Sequence, residues 1–256
     1  VSVWHFDEGY GTSTTADANG DNAGTMVNMT TSSWVAGKVG QALQFDGVND
    51  YVTSTAKGVG QGAISAEMWV KFDDFAVQRQ LFYIKSNQGA GPINFRYFYL
   101  STWCPGGGSF NCLHLDSAKA DGSENDRWVN SKASFSLAAN QWYHVAAIMD
   151  TVQGVFRIYV DGELIGEAKG NDYIGRYGLA KEVWIGGGPA ASGIMKGTID
   201  EVRLYSRALS PIEIKNHYYG FYTESGEGFP KLAEGTYLPG QTLSVWHSWS
   251  VLGSAV

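Results

Sequence analysis

The stretch KGTIDEVRLYSRALSPIEI, residues 196–214, decides the fold. Val202 and Leu204 alternate with Glu201 and Arg203, the period of a strand with one buried face. Asp200 and Glu201, as neighbours on such a strand, are expected on opposite faces. Ser210, Pro211 and Glu213 follow. A Ser that accepts from a free backbone N–H, a Pro preset for the first helical position and a Glu three residues after the Ser form a capping box. A short helix therefore starts here, and Gly220 is its expected left-handed stop.

Further out, residues 64–72 give the cleanest alternation, with Ile64, Ala66, Met68, Val70 and Phe72 against Ser65, Glu67, Trp69 and Lys71. Trp69 stands alone among polar neighbours and is expected to pack under a nearby loop. Residues 41–45, 51–53, 81–85, 94–102, 142–149, 155–160, 163–167 and 183–186 read as further strands, with Asp161-Gly162 as a two-residue hairpin turn. Residues 103–132 are long, polar and Gly-rich, and are expected to form an irregular insertion that serves as a binding loop or an interface.

Four ordered segments carry a family likeness: WHFDEGYG (4–11), GKVGQALQFDGVNDYV (37–52), NQWYHVAAIMD with IYVDG (140–162), and the segment quoted first. Together they resemble the laminin-G-like, concanavalin-A-like jelly-roll family of extracellular proteins, over roughly residues 1–218. The resemblance implies an all-β, antiparallel two-sheet jelly-roll sandwich with one short helix near its C-terminal end. The domain reading is a jelly roll over 1–220 and an apolar extension over 221–256. Residues 235–256 contain no Asp, Glu, Lys or Arg, and QTLSVWHSWSVL (241–252) alternates like a strand. Such a segment either completes its own sandwich or adds to a sheet edge in a neighbouring copy.

Composition agrees with an all-β chain: 33 Gly and 14% aromatics, with only 17% charged residues, in 256 residues. A net charge of −7 with no basic run argues against nucleic acid, and no apolar run is long enough to span a membrane. Val1 opens almost directly on a strand, the expectation for a mature or trimmed N-terminus. Cys104 and Cys112 flank PGGGSFN and either close a small disulfide ring in an oxidising compartment or stay as buried thiols. Asn28-Met29-Thr30 is a glycosylation sequon.

Retaining glycoside hydrolysis needs two carboxylates about 5 Å apart, commonly on one face of a strand. The Glu-x-Asp-x-x-Glu signature of related laminarinase-type hydrolases is absent, as are the Arg-x-Glu-x-Arg and Gln-x-His patterns of alginate-lyase jelly rolls. The chain reads as a non-enzyme. Acids spaced by two suit a hard cation, so Asp17, Asn19 and Asp21, the turn acids Asp46 and Asp50, and Asp200 are the calcium candidates. Asp200 is the carry-over from related jelly rolls with a structural calcium; Asx turns explain Asp17, Asp46 and Asp50 without metal. His144, within WYHVA, reads as a hydrogen-bonded structural residue.

Sugar recognition pairs aromatic platforms with amides and carboxylates. Trp103, Trp128 and Tyr177, beside Asn111, Asn125, Asp126 and Arg127, are the candidate ligand residues, all assigned to loops. The expected function is an extracellular, non-catalytic recognition or adhesion module for a glycan or protein surface, with calcium as candidate cofactor. The alternative is a structural subunit that self-assembles through its C-terminal extension into a filament or homo-oligomer.

Overall fold

A computed structural model describes residues 2–11, 13–59, 62–86, 96–104, 109–117, 127–150, 152–169, 180–188 and 193–220. Tyr177, Asn125, Asp126 and the extension 221–256, which carries the self-assembly expectation, lie outside the described residues. Two antiparallel eight-stranded sheets form a sandwich. In chain order the strands are β1 (Ser2–Trp4), β2 (Thr14–Thr15), β3 (Gly24–Val27), β4 (Trp34–Ala36), β5 (Gln41–Asp46), β6 (Tyr51–Thr55), β7 (Ile64–Phe72) and β8 (Gln80–Ser86). They continue as β9 (Arg96–Thr102), β10 (Leu113–Ser117), β11 (Arg127–Asn130), β12 (Trp142–Asp150), β13 (Val155–Val160), β14 (Glu163–Lys169), β15 (Ala180–Ile185) and β16 (Lys196–Tyr205), followed by helix α1 (Pro211–Tyr218).

One sheet runs β14-β13-β12-β7-β16-β5-β4, with β1 also paired to β16; the other runs β11-β10-β9-β8-β15-β6-β3-β2. We call them sheet A and sheet B. The jelly-roll expectation is met, with both chain halves contributing to both layers. Ile64, Ala66, Met68, Val70 and Phe72 of β7 face Phe82, Ile84, Phe98, Leu100 and Leu115 of sheet B in one continuous core. Burying each such side chain stabilises the sandwich by about 1.5–3 kcal/mol.

Helix α1 forms for the reasons its sequence gives. Ser210 Oγ accepts from the Glu213 N–H at 3.3 Å, Glu213 Oε2 accepts from the Ser210 N–H at 2.8 Å, and Pro211 occupies the first turn. Gly220 follows with φ +83°. Ile214 and Leu209 pack on Ala146, Ile148 and Tyr205, so α1 lies on the outer side of sheet A.

Two expectations are corrected. The alternation of β16 breaks at a bulge: Asp200 pairs with Trp69 and Arg203 with Glu67, so two residues of β16 oppose one of β7, and Glu201 takes φ +51°. Ile199 and Val202 both enter the core, which leaves Asp200 and Glu201 together on the outer side. The segment 103–132 is also not purely irregular, because it contains β10 and β11. Leu113 and Leu115 alternate with His114 and Asp116, a strand period that the surrounding Gly-rich sequence conceals.

Candidate functional site

Sheet B turns one face to the core and the other outward. On that outer face one register runs unbroken from strand to strand. Trp128 of β11 pairs with Asp116 of β10, Asp116 with Tyr99 of β9, Tyr99 with Tyr83 of β8, and Tyr83 with Trp184 of β15. The row continues through Thr53 of β6 and Thr25 of β3 to Thr14 of β2. At a strand spacing of about 4.8 Å these seven steps cross about 34 Å. Aromatic rings occupy one half and hydroxyls the other. Tyr83 meets Tyr99 edge-on at 5.9 Å and lies 5.0 Å from Trp184.

Tyr83 and Tyr99 are almost wholly covered, at 5% and 4% exposure, whereas Trp128 is 52% exposed. In the aromatic half the accessible ring is therefore Trp128 of β11, while Thr25 and Thr14 are exposed at the opposite end. Beside Trp128, His114 stands between two indoles, edge-on to Trp103 at 5.3 Å and tilted against Trp128 at 6.2 Å. Its Nδ1 donates to Asn130 Oδ1 at 2.6 Å and its Nε2 is 3.4 Å from Asp116 Oδ2. Asn130 Nδ2 has no hydrogen-bond partner among the described residues. The Cys104–Cys112 disulfide, Cα atoms 5.1 Å apart, ties β9 to β10 directly beside Trp103, whose N–H donates to the Cys112 carbonyl at 3.0 Å. It holds Trp103 and His114 in one frame.

Of the sequence candidates, Trp103 and Trp128 come together here. Trp128 lies on a strand and not in a loop, which corrects its assignment. Arg127 precedes it on β11. Asn111 is half-buried in the loop before β10, its carbonyl accepting from the Leu137 N–H at 2.7 Å. His114, Asp116, Asn130, Tyr99, Tyr83 and Trp184 escaped the sequence reading. Their signal is the position between core residues, as in Leu113-His114-Leu115-Asp116 and Val183-Trp184-Ile185.

The acids are scattered, and most serve turns. Asp17 Oδ1 accepts from the N–H groups of Val3 and Asn19, and its Oδ2 from Asn22. Asn19 and Asp21 are exposed on the same turn. Asp46 accepts from Val48 and Asn49, and Asp50 from Asp46. These two line a small polar pocket of about 190 Å³ with Thr30 and the exposed Asn28, whose Nδ2 donates to the Asn49 carbonyl at 2.9 Å. Among the described residues no group of three or more His, Cys, Asp or Glu side chains is arranged to hold a metal ion.

Asp200 differs from the others. It is fully buried, its Oδ2 accepts from the N–H groups of Lys38 and Val39 at 2.8 and 2.9 Å, and its Oδ1 has no partner among the described residues. Burial pushes it up, the two N–H bonds oppose this, and the charges of Glu201 and Asp7 add to it, so its pKa is pushed up to about 8. The loop backbone crowds the carboxylate: a Cβ on Gly37 would sit 2.6 Å from Asp200 Oδ2. Asp200 thus keeps one buried carboxylate oxygen without a partner among the described residues, while two N–H donors hold the other and both Glu201 oxygens are taken by His5 and Arg203.

Beneath α1, sheet A buries a different cluster. Glu67 accepts from Tyr205 Oη at 2.8 Å and from His217 Nδ1 at 3.0 Å, with His144 Nε2 at 3.7 Å. Arg203 Nη2 donates to Glu201 Oε2 at 2.7 Å, and Glu201 Oε1 meets His5 Nδ1 at 2.7 Å. Burial raises the Glu67 carboxyl, but the His217 hydrogen bond and the charges around it prevail and hold it well below the usual carboxylate range. Trp69 is 6% exposed, capped by Tyr218 of α1 and by Lys38 Nζ, 4.2 Å from the ring. Covered carboxylates cannot meet a glycosidic bond, so this cluster is a helix anchor.

The chain belongs to the concanavalin A-like lectin/glucanases superfamily, whose laminin-G-type family model matches residues 46–215. No curated protein sequence matches it. Among solved structures it is similar to domain 4 of AbnA, an extracellular arabinanase of Geobacillus stearothermophilus in complex with arabinotriose, at 18% identity and TM-score 0.59 over 84% of this chain and 96% of that one. It is similar to the receptor-binding domain of botulinum neurotoxin D at 14% identity and TM-score 0.62, over 86% of this chain and 52% of that one. It is similar also to Trypanosoma rangeli sialidase, at 18% identity and TM-score 0.59, over 85% of this chain and 32% of that one. At these identities the likeness is one of fold, and the chain spans about half of the toxin domain and a third of the sialidase.

Proposed function

We propose that this chain is a non-catalytic recognition module of an extracellular protein that binds a glycan on the outer face of sheet B. The observation that carries the reading is the Trp103, His114 and Trp128 ring cluster with Asn130 and Asp116 beside it. Indole faces stack on the C–H face of a sugar, and a polar group fixed within the patch reads its hydroxyls. The arabinotriose held by the similar arabinanase domain supports a sugar ligand for this sandwich. The disulfide supports an oxidising compartment. The test is retardation of the chain in native gels cast with polysaccharides: migration unchanged in every gel overturns the reading, and so does release of reducing ends by the purified chain.

A calcium ion at Asp200 would be structural, its charge offsetting the buried carboxylate behind the bulge of β16. Calcium that binds only the folded chain raises its melting temperature by mass action. An identical melting curve in calcium and in chelator removes the ion from the reading.

A further inference from the structure

The small pocket between the end of β3 and the β5–β6 turn is polar throughout. Beside Asn28, Thr30, Asp46 and Asp50 it is lined by Ser32, Ser33 and Gln44, with no apolar side chain among the described residues. Asp50 is only 5% exposed, and its Oδ2 accepts from the Asp46 N–H at 3.1 Å. Its Oδ1 has no hydrogen-bond partner among the described residues, and unlike Asp200 Oδ1 it is not sealed from solvent. Exposed Asp46 uses Oδ1 for the N–H groups of Val48 and Asn49, which leaves its Oδ2 without a partner among the described residues.

Neither carboxylate forms an ion pair among the described residues. Lys196, whose stem runs against Gly47, sends its Nζ to Asp74 at 2.7 Å instead. Burial and the Asp46 charge both raise the Asp50 carboxyl, with only the Asp46 N–H opposing them. Two like charges on one pocket favour a ligand that brings a positive one.

The remaining groups narrow the ligand further. Gln44 is occupied at both ends, by Thr198 Oγ1 at 2.7 Å and Asp73 Oδ2 at 3.0 Å. Ser33 Oγ accepts from the Thr30 N–H at 3.1 Å and keeps its own O–H, while the Thr30 and Ser32 hydroxyls meet at 2.7 Å. A volume of about 190 Å³ lies below the roughly 300 Å³ at which pockets for whole drug-sized ligands begin, so the pocket takes one unit of a ligand. A lysine brings an alkyl stem that wants apolar walls, whereas an amino sugar sets its ammonium among hydroxyls.

We propose that this pocket binds one unacetylated hexosamine residue of a glycan, its ammonium donating to the Asp50 carboxylate, its charge offset also by Asp46, and its flanking hydroxyls meeting Ser33 and Thr30. The site adjoins β3, at the other end of sheet B from Trp128, and does not rest on the reading of that face.

Isothermal titration calorimetry of the full chain with chitosan oligosaccharide tests this, at physiological ionic strength and a mildly acidic pH that keeps the amine protonated. Chitin oligosaccharide of equal length, with acetyl groups in place of the charges, should bind about tenfold or more weakly. Asp50→Asn keeps an oxygen for the Asp46 N–H and should weaken chitosan binding by about tenfold or more, with a melting curve to confirm folding. Asp46→Asn, at an exposed position, should weaken it too and serves if the first variant does not fold. The same charge change at exposed Asp21, in Asp21→Asn, should leave binding at the wild-type level. Equal weakening by Asp21→Asn would mean diffuse attraction to the net charge of −7 and overturns the pocket. Chitin binding as tight as chitosan overturns the ammonium, and binding of oligolysine without chitosan overturns the sugar. No binding of chitosan overturns the proposal.

Discussion

The two sheets share a core but treat their outer faces in opposite ways. Sheet A turns Glu67, His144 and Tyr205 outward and then buries them under α1, where Glu67 accepts from Tyr205 and from His217 of the helix. Sheet B turns Trp128, His114 and Asn130 outward and leaves an indole half-exposed and an amide donor without a partner among the described residues. The number of polar groups does not separate a structural face from a recognition face, since sheet A has the more charged set. What separates them is closure. Polar groups covered by a helix are out of a ligand's reach whether or not each is paired, whereas an exposed ring can be stacked upon.

The largest break in this contrast comes from opening the closed face. Glu67→Ala leaves His217 and Tyr205 facing a void in place of a carboxylate, and removing one member of such a buried set costs about 3–5 kcal/mol. Urea denaturation should show this loss while polysaccharide retardation of the folded variant stays at the wild-type level. Acid should loosen the same face. Burial depresses His144 to about 4 against the pull of Glu67, so its contribution is complete above the unfolded value of about 6.5 and is lost as pH falls through about 4. Melting that stays flat from pH 6.5 to 4 would contradict a buried neutral His144.

Asp200 gives the next effect, with the opposite sign. Its pKa is raised, so the stability linked to its protonation is complete below the unfolded carboxylate value and is lost as pH rises through about 8. In chelator the chain should lose on the order of a few kcal/mol across that window. Calcium should remove the slope. Asp200→Asn keeps an oxygen for the Lys38 and Val39 N–H groups and should be flat with pH and indifferent to calcium. A wild-type slope in this variant would place the titrating group elsewhere.

The closed face was largely legible from sequence, and the open one was not. β7, β16 and α1 are fixed by local signals: strict alternation, a Pro after a Ser, a Glu three residues on. The bulge at Asp200 and Glu201 was invisible because Glu201 carries none of the usual left-handed preference of Gly or Asn. On sheet B, Trp103 and Trp128 were singled out for being aromatic in polar surroundings. His114, Asp116 and Asn130 were not, because their roles arise from pairing across β9, β10 and β11, and register is a tertiary property.

The disulfide tests how much the open face depends on its frame. Replacing Cys104 and Cys112 by Ser releases a loop closed over a sequence separation of 8, worth about 2–3 kcal/mol in the chain-entropy description. The melting temperature should fall. Because the bridge sets Trp103 against His114, polysaccharide retardation should weaken too, even at temperatures where the variant is fully folded. Retardation equal to wild type there would mean that the strand pairing of β9 and β10 positions the rings unaided.

The smallest stability effect sharpens the comparison most, because it sets two copies of one residue type against each other. Trp69 and Trp128 both project from the outer faces of their sheets, at 6% and 52% exposure. Trp69→Ala deletes a ring packed on His144 and Tyr218 and should destabilise by about 3–5 kcal/mol. Trp128→Ala removes a ring that already faces water and should change stability by about 0.5 kcal/mol or less, yet weaken polysaccharide retardation about tenfold or more. Stability and binding would then be carried by different tryptophans. If Trp128→Ala instead melts as early as Trp69→Ala, its ring is a structural cover like its counterpart, and the distinction between the two faces fails at the residue on which the recognition site depends.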